Sequence, residues 1–210
     1  TFSNTGLGSA VTLGNDAGDT LAFNSGVTAT APNTRNLAGT ISAAGIGVIN
    51  FGGAGAINIT ADTNLGGTGT GNITLGAAVT LPDTVKLVLG AGAASAVSTA
   101  GIKGTVGGGA EDLTINVAPP AAVVIGGIVG PDIGTITVTN SGGTTFNNTV
   151  TAATVSLVNT TGSITFNGKL TATTLSTFNN AFNVVMIGAG SAITNDVNFL
   201  NTVTVTLGNG

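Results

Sequence analysis

Cysteine, histidine, tryptophan and tyrosine are all missing from the 210 residues, and charge is scarce, with only 6% Asp, Glu, Lys and Arg. Without Cys there is neither a disulfide framework nor thiol chemistry. Without His the Ser–His–Asp and Cys–His nucleophile systems and the usual zinc ligand sets have no members. Four cations, Arg35, Lys86, Lys103 and Lys169, against a net charge of −4 leave no basic stripe to neutralise phosphates, so nucleic acid is not an expected partner. The longest apolar stretch, 121–130, is about half the ~20 residues of a membrane helix and is broken by glycines, so no transmembrane segment is expected.

What remains is Thr, Val, Ile and Ala for strands, with Gly and Asn for turns. Charged helix formers are nearly lacking, and the one Glu is Glu111. The chain nevertheless holds 42% hydrophobic residues, which is enough for a core and argues against disorder. It is expected to be all-β. It opens on Thr1 rather than Met, which reads as a processed or excised piece of something longer.

Residues 141–160 and 161–180 are nearly the same text written twice. Both carry Phe-Asn-x-x-(Val/Leu)-Thr-Ala, as Phe146-Asn147 to Val150 and Phe166-Asn167 to Leu170, with Val155 and Leu175 following. The motif recurs upstream at Phe23 and in degenerate form at Phe199. A fixed period of about twenty residues marks a stacked architecture in which each repeat buries its apolar face against its neighbours. Alternation such as Thr135-Ile136-Thr137-Val138-Thr139 turns aliphatics inward and threonines outward.

These features predict a parallel β-solenoid with coils of about 20 residues and a less regular N-terminal half. About ten coils at ~4.8 Å make a rod roughly 50 Å long. In it Phe23, Phe146, Phe166 and Phe199 form an interior column beside Val150, Leu170, Val155 and Leu175. Asn147, Asn167, Asn159 and Asn179 stack at corners, where Asn tolerates left-handed backbone and can bond to the next Asn. Residues 117–134 carry Pro119, Pro120 and Pro131, which cannot donate to a ladder. That segment is expected as an apolar loop or bulged coil between an irregular solenoid half, 1–116, and regular coils, 135–210. A strand exchanged between molecules is the other use such a segment would serve.

The acids offer little chemistry. Asp16/Asp19 and Glu111/Asp112 are the close pairs, both in Gly-rich text. Glycan-cleaving solenoids need paired carboxylates at set separation, and sugar stacking would want Trp or Tyr, so an enzyme is not expected. The same four acids are the only calcium candidates. A calcium site takes six to eight oxygens, normally from tandem copies, and each pair occurs once, so turn formation is the expected role. No cofactor is expected. Thr-x-Thr pairs at Thr28/Thr30, Thr149/Thr151, Thr171/Thr173 and Thr202/Thr204/Thr206 could line an ice-binding face, but such pairs are also ordinary half-buried strand. Sequons at Asn58, Asn72, Asn147 and Asn159 follow from an Asn/Thr-rich composition.

With those repeats and with the text of 39–60 and 162–174, the chain resembles the passenger segments of bacterial autotransporters. The nearest resemblance is to the large outer-membrane surface antigens of rickettsiae. The resemblance implies a β-helical passenger exported through a C-terminal barrel and displayed outside the bacterium as an adhesin or coat protein. A host-cell receptor and neighbouring subunits are the partners it implies, and it supplies no catalytic residues. The other expectation, from a different class, is a self-assembling filament or surface-layer subunit joined end to end or by strand donation.

Overall fold

The computed structural model describes residues 1–208; Asn209 and Gly210, at the end of the expected regular region, lie outside the described residues. The first coils contain β1 (Ala10–Leu13), β2 (Thr20–Phe23), β3 (Gly26–Thr28), β4 (Thr34–Ala43), β5 (Val48–Phe51), β6 (Ala56–Gly67) and β7 (Ile73–Leu75). The middle contains β8 (Val79–Thr80), β9 (Lys86–Gly90), β10 (Val97–Thr99), β11 (Ile102–Lys103), β12 (Glu111–Asn116) and β13 (Val123–Ile125). The last part contains β14 (Val129–Asn140), β15 (Thr144–Phe146), β16 (Val150–Leu157), β17 (Ser163–Phe166) and β18 (Leu170–Thr177). It finishes with β19 (Asn183–Met186), β20 (Ala192–Ile193) and β21 (Val205–Leu207). No helix long and apolar enough to cross a membrane occurs among the described residues.

The chain is a parallel β-solenoid of about nine turns with roughly 22-residue spacing. Each coil contributes one short strand to a nine-stranded sheet and one long, bent strand to a twelve-stranded sheet. In some coils the long strand is split in two, as in β8 with β9 and β11 with β12. All pairings are parallel, because every strand lies on the same side of the coil one turn earlier.

Columns of like residues run along the axis. On the short-strand side Phe51, Leu75, Thr99, Ile125, Phe146, Phe166, Met186 and Leu207 follow one another in register. On the opposite wall Val11, Arg35, Ile57, Val79, Ile102, Val129, Val150 and Leu170 do the same. Leu87, Leu113, Ile136, Val155 and Leu175 make a third column on the second limb of the long sheet. Interior positions are almost all aliphatic and fully buried.

The tandem repeat stacks as the sequence predicts: Phe146 on Phe166, Val150 on Leu170 and Val155 on Leu175. Hydrogen-bonded residues on neighbouring coils stand 20 apart here, as in Asn147/Asn167. Toward the N-terminus the separation widens to 24 at Ser9/Asn33 and 26 at Gly69/Ser95. Residues 117–134 hold the corner before β13, β13 itself and the start of β14, and both sheets run through them. The register shift lies between Val129 and Ile133, where Pro131 sits.

One part of the expected Phe column is corrected. Phe23 ends β2 and pairs with Ala43 in the long sheet, whereas Phe146 and Phe166 lie in the short-strand sheet. The upstream motif has the same letters but occupies the opposite corner of the coil, so its Val27 faces Ile49 in the short-strand sheet. Phe199 lies outside the strands, and below Phe166 the column continues as Met186 and Leu207. Phe23 and Phe199 are half-buried and pack against the core from its margins.

Candidate functional site

The aromatic centre of the interior is the Phe146–Phe166 pair, with ring centroids 4.8 Å apart and planes 1° from parallel. That spacing is the inter-strand distance itself, imposed by the coil stack. At the exposed corner just beyond, the Asn167 amide donates to Asn147 Oδ1 at 2.9 Å, forming one rung of an amide ladder. The other expected corner differs. There Asn180, not Asn179, reaches the coil above, its amide donating to the Val158 carbonyl, while the Asn159 N–H donates to the Val138 carbonyl.

Three of the four acids singled out as calcium candidates act as turn or bulge formers. Asp19 Oδ2 accepts from the N–H groups of Asn15 and Asp16, and Asp16 Oδ1 accepts from that of Gly18. Asp112 Oδ1 accepts the Thr135 N–H at 2.9 Å, beside the register shift that opens the second limb. Asp62 does the equivalent for the Lys86 N–H at 2.8 Å.

Glu111 is different, and the turn expectation fails for it. It opens β12 in phase with Leu113 and Ile115, so alternation carries it into the interior, where it is fully buried. Oε1 accepts the Thr105 N–H at 3.2 Å, while Oε2 is buried without a partner. Its place in the column is taken in the following coils by Ile133, Ala152 and Ala172.

Arg35 is a second buried ionisable residue. It occupies the wall column between Val11 and Ile57 and is fully buried. Nη1 donates to the Ala29 carbonyl at 3.2 Å and Nη2 to the Gly53 carbonyl at 3.1 Å; Nη2 also donates to the Gly55 carbonyl. The Nε–H has no partner. The corner from Phe51 to Ile57 is two residues longer than that from Phe146 to Val150. The wider corner leaves carbonyls turned inward, and a guanidinium with five donors satisfies several of them at once. Burial holds the Arg35 pKa below its ordinary value, because the charged form is desolvated. In both cases the signal was in the alternation: Arg35 stands two residues before Leu37, and Glu111 two before Leu113.

The outer faces carry little charge and are dominated by hydroxyls. Along the second limb Thr114, Thr137, Ser156 and Ser176 form one outward column, and Thr135, Thr154 and Thr174 another beside it. The threonine pairs singled out from the sequence do not form a matching array. Thr151 lies over Thr171, but Thr173 follows Ala153 in the stack. Where the long strand bends, Ala152 and Ala172 floor a shallow groove of about 330 Å³ rimmed by Asp132, Thr151, Thr171, Thr173 and Thr194. Among the described residues no three acidic side chains converge on a point that could hold a metal ion.

No protein-family model matches this chain, and no curated protein or solved structure matches it.

Proposed function

We propose that this chain is a rigid, non-catalytic segment of a bacterial surface protein, a passenger of the autotransporter kind that serves as coat or adhesin outside the cell. The observation that carries the reading is the uninterrupted stack of about nine parallel coils with a mainly aliphatic interior and faces of uncharged hydroxyls and amides. Stacking each coil only on its neighbours builds length without enlarging the core, which suits a spacer or display rod. The resemblance of the Phe-Asn-x-x-(Val/Leu)-Thr-Ala text to rickettsial surface antigens supports the location. The exposed corners and the 104–110 loop, with Val106 standing out to solvent, are the surfaces offered to a host-cell receptor.

Beads coated with the chain and offered to cultured host cells test the adhesin role. Saturable attachment, competed by soluble chain and absent from beads bearing an unrelated acidic β-protein, is the expected result. Attachment no greater than that control would leave the coat role and remove the adhesin.

The filament reading has its own test, at the last strand. In β21 the Thr204 carbonyl and the Gly208 N–H bond to β19, so by alternation the groups of Val205 and Leu207 face the other way. Among the described residues nothing pairs with that edge, and Leu207 is 60% exposed. Such an edge accepts another parallel strand, whether from the next coil of a longer chain or from a second copy of this one. Filaments that grow with concentration and vanish in Leu207→Pro, which removes only an outward donor, would establish assembly. Single particles at every concentration would dismiss it.

A further inference from the structure

The nine-stranded sheet differs from the rest of the surface in charge. None of its described strands carries Asp, Glu, Lys or Arg. The long sheet, by contrast, has Asp62, Lys86, Lys103, Asp112 and Asp132 on its strands. The outward column of the short strands runs in register from Thr28 to Thr206 through Ser98, Val124 and Thr145, and holds only Thr, Ser, Asn and Val. Every member is half-buried or exposed. β13 is the fifth of the nine strands, so Val124, 41% exposed, stands at the centre of the face. The planes of Phe146 and Phe166 differ by only 1°, as coils stacked with almost no rotation would place them, so the column there runs straight along the axis.

We propose that this face is where two copies of the chain pair side by side, sheet against sheet. Over ~40 Å of axis and ~13 Å of strand and flank it offers about 500 Å² on each copy and about 1,000 Å² on the pair, the lower bound for a specific interface. A second copy matches the face in both repeat and chemistry. Its side chains recur at the same strand spacing, so columns of small residues from two copies interdigitate along the whole length, as they do between paired cross-β sheets. Hydroxyls and amides both donate and accept, so like bonds to like, whereas a charged partner finds no counter-charge here.

The pairing has a defined centre. Any two-fold axis that lies in the interface and passes through its middle sets Val124 of one copy against Val124 of the other, with the hydroxyl-bearing residues of the column around them. An apolar contact at the middle of a polar face is where binding energy concentrates. This contact is lateral, so it differs from joining at the open edge of β21. It rests on the face alone and does not depend on the surface role proposed above.

An interface of this size is weak, so the test follows the whole chain by small-angle scattering at concentrations up to about 1 mM. The mass should double and the cross-section thicken while the length stays that of one rod. Val124→Lys, which sets two ammonium groups against each other at the centre, should abolish the doubling. Thr114→Lys, on the outward column of the second limb, should leave it unchanged, as should Leu207→Pro at the open edge. Thr145→Lys, one strand along in the same column, takes the place of Val124→Lys if that variant does not fold. Single rods at every concentration would overturn the pairing, as would growth in length at constant cross-section. So would a doubling that survives lysine on the face, or one that Thr114→Lys abolishes equally.

Discussion

Phe146 and Phe166 sit fully buried at the centre of the regular coils, so each truncation leaves a cavity that the surrounding backbone ladders cannot collapse. Phe146→Ala and Phe166→Ala should each destabilise by ~3–5 kcal/mol in denaturant titration. A double-mutant cycle should show coupling of ~0.5–1.5 kcal/mol from the stacked rings; additive effects would mean that the stacking contributes only its area. Arg35 poses the opposite case, an ion among hydrocarbons. Arg35→Met removes a desolvated charge but strands the carbonyls of Ala29, Gly53 and Gly55. Those carbonyls stay buried, so a loss of about 2 kcal/mol is expected. Equal or greater stability would show that water reaches the wide corner instead. The pH dependence has a defined sign. A lowered folded pKa means the unfolded chain holds the proton more tightly, so the charge opposes folding until strongly alkaline pH, where stability rises between the folded and unfolded values. The aromatic pair was legible in the sequence because two copies lie in tandem. The two interior ionisable side chains were legible only in the two-residue alternation around Leu37 and Leu113, and the glycines shortly before Glu111 obscured it.

At the scale of the coil, two kinds of repeat residue look alike in the text and should behave differently. Asn167 sits at an exposed corner, and its amide bond to Asn147 is one rung in contact with water. Asn167→Ala should therefore cost about 0.5–1 kcal/mol. Gly162 repeats Gly142, and a Cβ there would come within 2.4 Å of the Gly142 carbonyl oxygen. Neighbouring coils would have to part at that corner, so Gly162→Ala should cost about 1–3 kcal/mol despite adding only a methyl group. Thermal melts of the two variants should fall in that order, and a reversed order would refute the close approach of the coils. Strand identity and tandem register could be read from period and alternation, because stacked copies must agree residue by residue. The phase of a lone copy could not. Phe23-Asn24 has the letters of Phe146-Asn147, yet it turns from the long sheet into the short one, because nothing local distinguishes one Asn/Gly corner from the other. The proline-bearing stretch was legible only as a loop or bulged coil over 117–134; the register shift at Pro131 and the pairing that carries both sheets through it come from its neighbours on either side.

At the scale of the molecule, every coil touches only the one before and the one after, so stability should be a sum of coil and interface contributions. That architecture follows from a composition poor in charge and rich in β-branched residues, which favours faces that bury against copies of themselves. The buried Arg35 and Glu111 both stand where a corner or loop departs from the regular coil, in the more widely spaced N-terminal part. The proposed display role rests on the outer chemistry of the rod, its hydroxyl columns and amide rungs. The central claim is the rod itself, and electron microscopy of the purified chain at low concentration tests it most directly. Nine coils at ~4.8 Å predict straight particles about 45 Å long and of constant width. Round particles without a long axis, or an ensemble of unrelated shapes, would contradict the solenoid and every function argued from it.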